Sequence, residues 1–212
     1  MTHRTLILMA AALLSACGSK PVQPDWQADA GNALNSYSEA YLKGDSAAAA
    51  SEYARARLAM SSTGRPDLVA HAELYRCATR TASMEFDGCP GFDALAQDAT
   101  AAEHAYAAYI AGRLDAANAR LLPEQHRAVA QGKPNLAAIA DPLSRLVAAG
   151  VLMRAGRITP ADITVATDTA SAQGWRRSLL MWLGVSLKRA QAAGDDAEAA
   201  RLQRRIALAS PA

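Results

Sequence analysis

The sequence predicts an all-α fold, and three observations carry that prediction. Alanine, the best intrinsic helix former, fills 52 of the 212 positions. Aromatic residues make up only 5% of the chain, and β-branched residues are sparse, which argues against a sandwich or barrel. Glycines and prolines cut the chain into segments of helical length, within which larger residues recur three and four apart. The charged share is 20% with a formal net charge of +2. That excludes the strongly basic footprint of a nucleic-acid binder, and the chain is too apolar and too balanced to stay disordered. The length suits a single domain.

Residues 1–16 read as an export leader. Met1-Thr2-His3-Arg4 gives a positive start, and the apolar run from Leu6 to Leu14 is about half the ~20 residues a membrane span needs. Small residues then sit where a peptidase needs them; a plain signal peptide cut elsewhere is the alternative. The tetrapeptide Leu14-Ser15-Ala16-Cys17 resembles the lipobox of bacterial lipoproteins. The resemblance implies that Cys17 takes a diacylglycerol on sulfur, that the leader is cut before it, and that the new amine is acylated. Three acyl chains exceed the two-signal threshold for lasting attachment, at ~0.8 kcal/mol per buried CH₂. In Gram-negative lipoproteins an Asp after the Cys retains the protein at the inner membrane. Gly18 stands there, which implies the outer membrane, facing the periplasm. Residues 17–24 are the lipidated Cys and a short tether, reaching at most ~3.5 Å per residue. Residues 25–212 form the single helical periplasmic domain.

Pro24-Asp25 is a helix start, with Ala33, Tyr37, Ala40 and Tyr41 at helical spacing. Gly44-Asp45 ends that helix, and Asp45 or Ser46 caps the next, which runs from Ala47 to Met60. Gly64-Arg65-Pro66-Asp67 breaks the chain before a helix reaching about Thr81. A short helix near Phe92 to Gln97 and a longer one from Thr100 to Ala111 follow. Later breaks fall at Gly112, Leu122-Pro123, Gly132-Lys133-Pro134, Asp141-Pro142, Gly156, Gly174 and Gly194.

Two cysteines remain after Cys17, at Cys77 and Cys89. An exported chain meets an oxidising compartment, where such a pair usually bridges. The turn residues Asp87-Gly88 and Pro90-Gly91 return the chain alongside the helix that carries Cys77. A structural disulfide follows, because redox chemistry uses Cys-x-x-Cys in a βαβ setting absent here.

Gly44, Gly112, Gly156 and Gly194 each have an alanine five residues on, at Ala49, Ala117, Ala161 and Ala199. The Gly ends one helix and the Ala lets the next cross closely over it. This spacing resembles the turn of the tetratricopeptide repeat. The first unit fits best, with Ala40 before the turn and Tyr53 and Ala56 at the repeat's aromatic and small positions. Where Tyr53 stands, the later units carry Leu121, Val165 and Gln203, and the glycines are 68, 44 and 38 residues apart rather than a steady ~34. The resemblance implies antiparallel helix pairs stacked as a right-handed solenoid, with a generic helical bundle as the alternative. Either way, stacked Ala-rich seams make the core, filled by Trp26, Tyr106, Tyr109, Trp175, Leu180 and Trp182.

Little in the sequence points to catalysis. His71 with Glu73, Glu103 with His104, and Glu124 with His126 lack the His-x-x-x-His or His-Glu-x-x-His spacing that puts ligands on one face. Residues one or two apart point apart on a helix, so these are expected at the surface, and no catalytic residue, metal or cofactor is assigned. There is no G-x-S-x-G elbow or Gly-rich phosphate loop. Charge is unevenly placed. From Glu85 to Glu124 seven acids face only Arg113 and Arg120, whereas from Trp175 to Arg205 seven bases face Asp195, Asp196 and Glu198. The plain reading is solvated faces; the sharper one is two ends of opposite potential.

The expected work is a non-catalytic scaffold or adaptor that holds another cell-envelope protein, since stacked helix pairs present a long concave face. A cell-wall enzyme or its activator would instead show a pocket of convergent polar residues with perturbed pKa. A small-molecule or lipid carrier would need an apolar cavity between helices.

Overall fold

The computed structural model describes residues 24–210, so Cys17 and its lipobox lie outside the described residues. Ten α-helices follow one another there: α1 (Asp25–Lys43), α2 (Ser46–Ser61), α3 (Pro66–Thr81), α4 (Pro90–Asp93), α5 (Ala101–Ile110), α6 (Glu124–Ala130), α7 (Pro142–Arg154), α8 (Pro160–Ala172), α9 (Arg176–Ala192) and α10 (Asp196–Ala209). Single 3₁₀ turns at Ala96–Asp98, Ala119–Leu121 and Leu136–Ala138 fill the longer links. No strand occurs among the described residues. The all-α prediction holds.

Local chemistry sets the helix ends. At the first turn Gly44 takes φ 94° and donates to the Tyr41 carbonyl, while the Asp45 amide donates to that of Ala40. The Asp45 carboxylate then accepts from the Ala48 amide at 3.0 Å. One dipeptide thus satisfies the end of α1 and the start of α2. Gly194-Asp195 repeats the arrangement between α9 and α10, with Asp195 accepting from Glu198. Gly112 and Gly156 also adopt positive φ. Thr100 and Glu103 form a capping box on α5, as do Thr159 and Asp162 on α8. Pro66, Pro142 and Pro160 occupy the first turn of α3, α7 and α8, where a missing N–H costs nothing.

The alanines after these glycines divide. Ala49 and Ala199 are buried, Ala49 in the seam of the α1–α2 hairpin. Ala117 is exposed in the loop between α5 and the second 3₁₀ turn, and Ala161 is exposed in the first turn of α8. The close crossing expected at all four therefore occurs at two. After Gly112 the chain does not re-enter a helix at once, and after Gly156 the start of α8 turns its Ala outward.

The core is built round α7. Leu146, Val147, Ala148, Ala149, Gly150, Val151 and Leu152 are consecutively buried, as expected of a helix covered on all sides. It packs on α3, α5, α6 and α8. Gly150 lies so close to the end of α3 that a Cβ there would meet the Thr81 carbonyl oxygen. Trp182 on α9 is fully buried and donates from Nε1 to the Ala82 carbonyl at 3.3 Å. Tyr109 and Trp175 are buried too, whereas Trp26, Tyr106 and Leu180 are only half-buried. Small side chains make a second seam, with Ala30, Ala33, Ala56 and Ala72 joining α1, α2 and α3. A third joins α9 to α10 through Leu183, Ala190, Ala199 and Leu202.

The N-terminal hairpin also touches α9 directly. Trp175 Nε1 donates to Glu39 at 2.7 Å, Arg177 donates to the Ser46 hydroxyl at 2.7 Å, and its guanidinium lies 4.1 Å from the centre of the Tyr41 ring. Cys77 and Cys89 form a disulfide with Cα atoms 6.0 Å apart. It fastens α3 to the start of α4 across the turn predicted for it. Among the described residues no helix is long and apolar enough to cross a membrane.

Candidate functional site

Five helices, α1, α3, α5, α6 and α7, contribute residues to a cleft. Its floor is apolar, from Leu74 and Ala78 on α3, Leu122 before α6 and Val147 on α7. Tyr75 and Tyr106 supply aromatic walls. The mouth is polar, with Asn35 on α1, His71 on α3, Glu103 on α5, Gln125 on α6, and Asp141 and Ser144 at the start of α7. Its volume is about 570 Å³, within the range of small-molecule sites.

Helix beginnings bring the polar groups together. Glu103 sits in the first turn of α5, with Oε2 held by the Thr100 amide and hydroxyl at 2.7 and 2.9 Å. Asp141 caps α7, its Oδ2 accepting from the Ser144 amide at 2.7 Å. Each carboxylate keeps its second oxygen free of hydrogen bonds within the described residues. Both caps follow from sequence, since a Thr three before a Glu and an Asp before a Pro each start a helix.

One polar side chain is sunk into the floor. His126 is 2% exposed, and its Nδ1 lies 3.2 Å from the Tyr109 hydroxyl. The rings of His126, Tyr109 and Tyr106 cluster, with His126 5.0 Å from Tyr109 and 5.7 Å from Tyr106 between centroids. Burial pushes the Tyr109 phenol well above its ordinary range, with a smaller contribution from Tyr106. It therefore stays protonated, and Nδ1 is its one hydrogen-bond partner among the described residues. The bond runs from the phenol to Nδ1 in one imidazole tautomer and from Nδ1–H to the phenol oxygen in the other. Nε2 makes no hydrogen bond within the described residues, and His126 is among the residues that line the cleft.

Burial lowers the His126 pKa to about 4, outweighing the nearby Asp141 carboxylate, which acts to raise it. Burial likewise raises the Tyr106 phenol, with smaller contributions from Tyr75 and Asp141. The imidazole is thus neutral at neutral pH. This arrangement suits hydrogen bonding more than proton transfer, because a base of pKa about 4 is weak at pH 7.

The burial of His126 corrects the expectation that all three histidines lie at the surface. It shares a face with Val129 and Ala130, three and four residues on, and all three are buried. That spacing was visible in the sequence. His71 is exposed at the cleft mouth, while Glu73, two residues on, is buried and paired with Arg57 at 3.2 Å and Arg76 at 3.8 Å. His104 is exposed and rests edge-on against Phe92, 5.8 Å between centroids. No cluster of three or more His, Cys, Asp or Glu that could hold a metal occurs among the described residues. A second hollow of about 420 Å³ shares Leu121 and Leu122 with the cleft and is lined also by His104, Tyr109, Arg113 and Asp115. The turn glycines and their alanines take no part in lining either hollow.

Compared with known proteins, the chain matches no family model, no curated protein and no solved structure.

Proposed function

We propose that this protein is an outer-membrane lipoprotein, held through Cys17 with its body in the periplasm, whose helical domain binds a ligand without transforming it. The observation that carries the binding role is the cleft between α1, α3, α5, α6 and α7, with its apolar floor and polar mouth. Its volume supports a small molecule, or a short piece of a larger one, over a long peptide. The proton chemistry supports binding over hydrolysis, because a buried neutral imidazole and phenols held protonated are weak partners for general acid–base work. No nucleic acid enters this reading, given the near-balanced charge.

The scaffold reading, a tetratricopeptide-like array that holds an envelope protein, is favoured by one feature. The Gly44-Asp45 and Gly194-Asp195 joints share the same bonding, and Ala49 and Ala199 are both buried behind them. A photo-crosslinking side chain at Gln125, on the cleft mouth, separates the two readings in intact cells. Under the ligand-binding reading, native mass spectrometry of the purified protein finds a small adduct and crosslinking yields no discrete larger band. A single crosslinked protein partner and no adduct would replace it with the scaffold.

The address is tested separately. Labelled fatty acid should enter the wild type and not Cys17→Ser, and Gly18→Asp should move the protein to inner-membrane fractions. Label in the Ser variant would overturn the anchor.

A further inference from the structure

We infer that the ligand of this cleft is a small organic cation, an ammonium or guanidinium group carried on an apolar body. The inference rests on the reading of the cleft as the ligand site and adds its chemical class. The fixed charges lining the cleft are the carboxylates of Glu103 and Asp141, and no Lys or Arg is among the described residues that line it. Each carboxylate holds a helix start with one oxygen and leaves the other uncommitted. A full negative charge exceeds the roughly half positive charge of a helix N-terminus, so the mouth keeps a negative potential. A concave, low-dielectric wall concentrates that potential. Tyr75 and Tyr106 line the same cleft, and an aromatic ring attracts a cation placed over its face.

The buried end has a different chemistry. Leu74, Leu122 and Val147 offer apolar contact, and the His126 ring, 2% exposed, lines the cleft with an Nε2 that has no hydrogen-bond partner among the described residues. A ligand therefore enters with its apolar part inward against the His126 ring and its cation at the mouth between Glu103 and Asp141.

The experiment uses the mature lipidated protein in detergent micelles, labelled with ¹⁵N at histidine, with empty micelles as the blank. Three probes of similar shape are titrated: phenethylammonium, 2-phenylethanol and phenylacetate. The cation should shift the His126 ring signals and bind at least tenfold more tightly than the alcohol, with phenylacetate weakest. In the Glu103→Gln, Asp141→Asn double variant the preference for the cation over the alcohol should vanish. Gln at that position of a capping box and Asn at an N-cap both keep the helix starts, so the variant changes charge without removing the caps. Equal or tighter binding of the alcohol or phenylacetate overturns the cation assignment while leaving the cleft as a binding site. A cation preference that survives the double variant also overturns it. No shift at His126 with any probe removes the assignment and the cleft reading together.

Discussion

The Tyr109 hydroxyl lies 3.2 Å from Nδ1 of His126, and both side chains are buried. Each is the other's hydrogen-bond partner among the described residues. Tyr109→Phe removes that partner and leaves a buried ring nitrogen unmatched, a loss of ~1–3 kcal/mol. Urea unfolding should show a lower midpoint with an unchanged slope, and an unchanged midpoint would mean that the pair contributes nothing.

The same histidine makes stability depend on pH. Its folded pKa, about 4, lies below the ordinary 6.5. Below pH 6.5 the unfolded chain takes up a proton that the native ring refuses. Stability therefore falls as pH drops from 6.5 towards 4, by up to about 3 kcal/mol, and this contribution levels off below that. Denaturation curves at pH 7, 5.5 and 4.5 should show a steeper decline for wild type than for His126→Gln. Parallel declines would contradict it.

Two helical glycines should respond to alanine with opposite signs. At Gly150 a new Cβ meets the Thr81 carbonyl, backbone that has no rotamer to yield with, so α7 and α3 must part at ~1–3 kcal/mol. At Gly184, inside α9, no heavy atom stands within 4 Å, and the gain in helix propensity stabilises by ~0.5–1 kcal/mol. Thermal melts of the two variants check both directions.

Ala49→Leu should destabilise by ~1–3 kcal/mol, since Ala49 is 2% exposed in the α1–α2 seam. Ala161→Leu, on the exposed face of α8, should stay within ~0.5 kcal/mol of wild type. Circular dichroism melts of both decide whether the Gly-to-Ala spacing has structural meaning at one joint and not the other.

Replacing Cys77 and Cys89 together by Ala should cost roughly 3 kcal/mol, the loop-closure entropy of so short a ring. Chemical denaturation measures it, and mass spectrometry of unreduced wild type should find the linked peptides.

Helix ends were legible because their causes are local. Gly44-Asp45, Asp141-Pro142 and the helix start at Thr100 act within four residues of themselves, and the structure keeps each where the sequence puts it. The disulfide was legible for a similar reason, its turn lying between the two cysteines. The alanine pattern was less informative. In a chain where every fourth residue is Ala, the spacing that marks buried Ala49 also marks exposed Ala161. The cleft was not legible at all. It is assembled from α1, α3, α5, α6 and α7, with Asn35 and Ser144 more than a hundred residues apart, and no local pattern encodes that meeting. Only His126 left a trace, in its shared register with Val129 and Ala130.

The contact between Trp175 and Glu39 joins positions 136 residues apart. In an array open at both ends, each terminal unit frays with its own small free energy, independent of the rest. Here the first hairpin cannot peel away without breaking the contacts of Trp175 and Arg177, which couples the opening of α1 and α2 to α9. Helix α10 rests chiefly on α9 and has no such latch among the described residues. Fraying should therefore be easier at the carboxyl end than at the hairpin that follows the tether from Cys17.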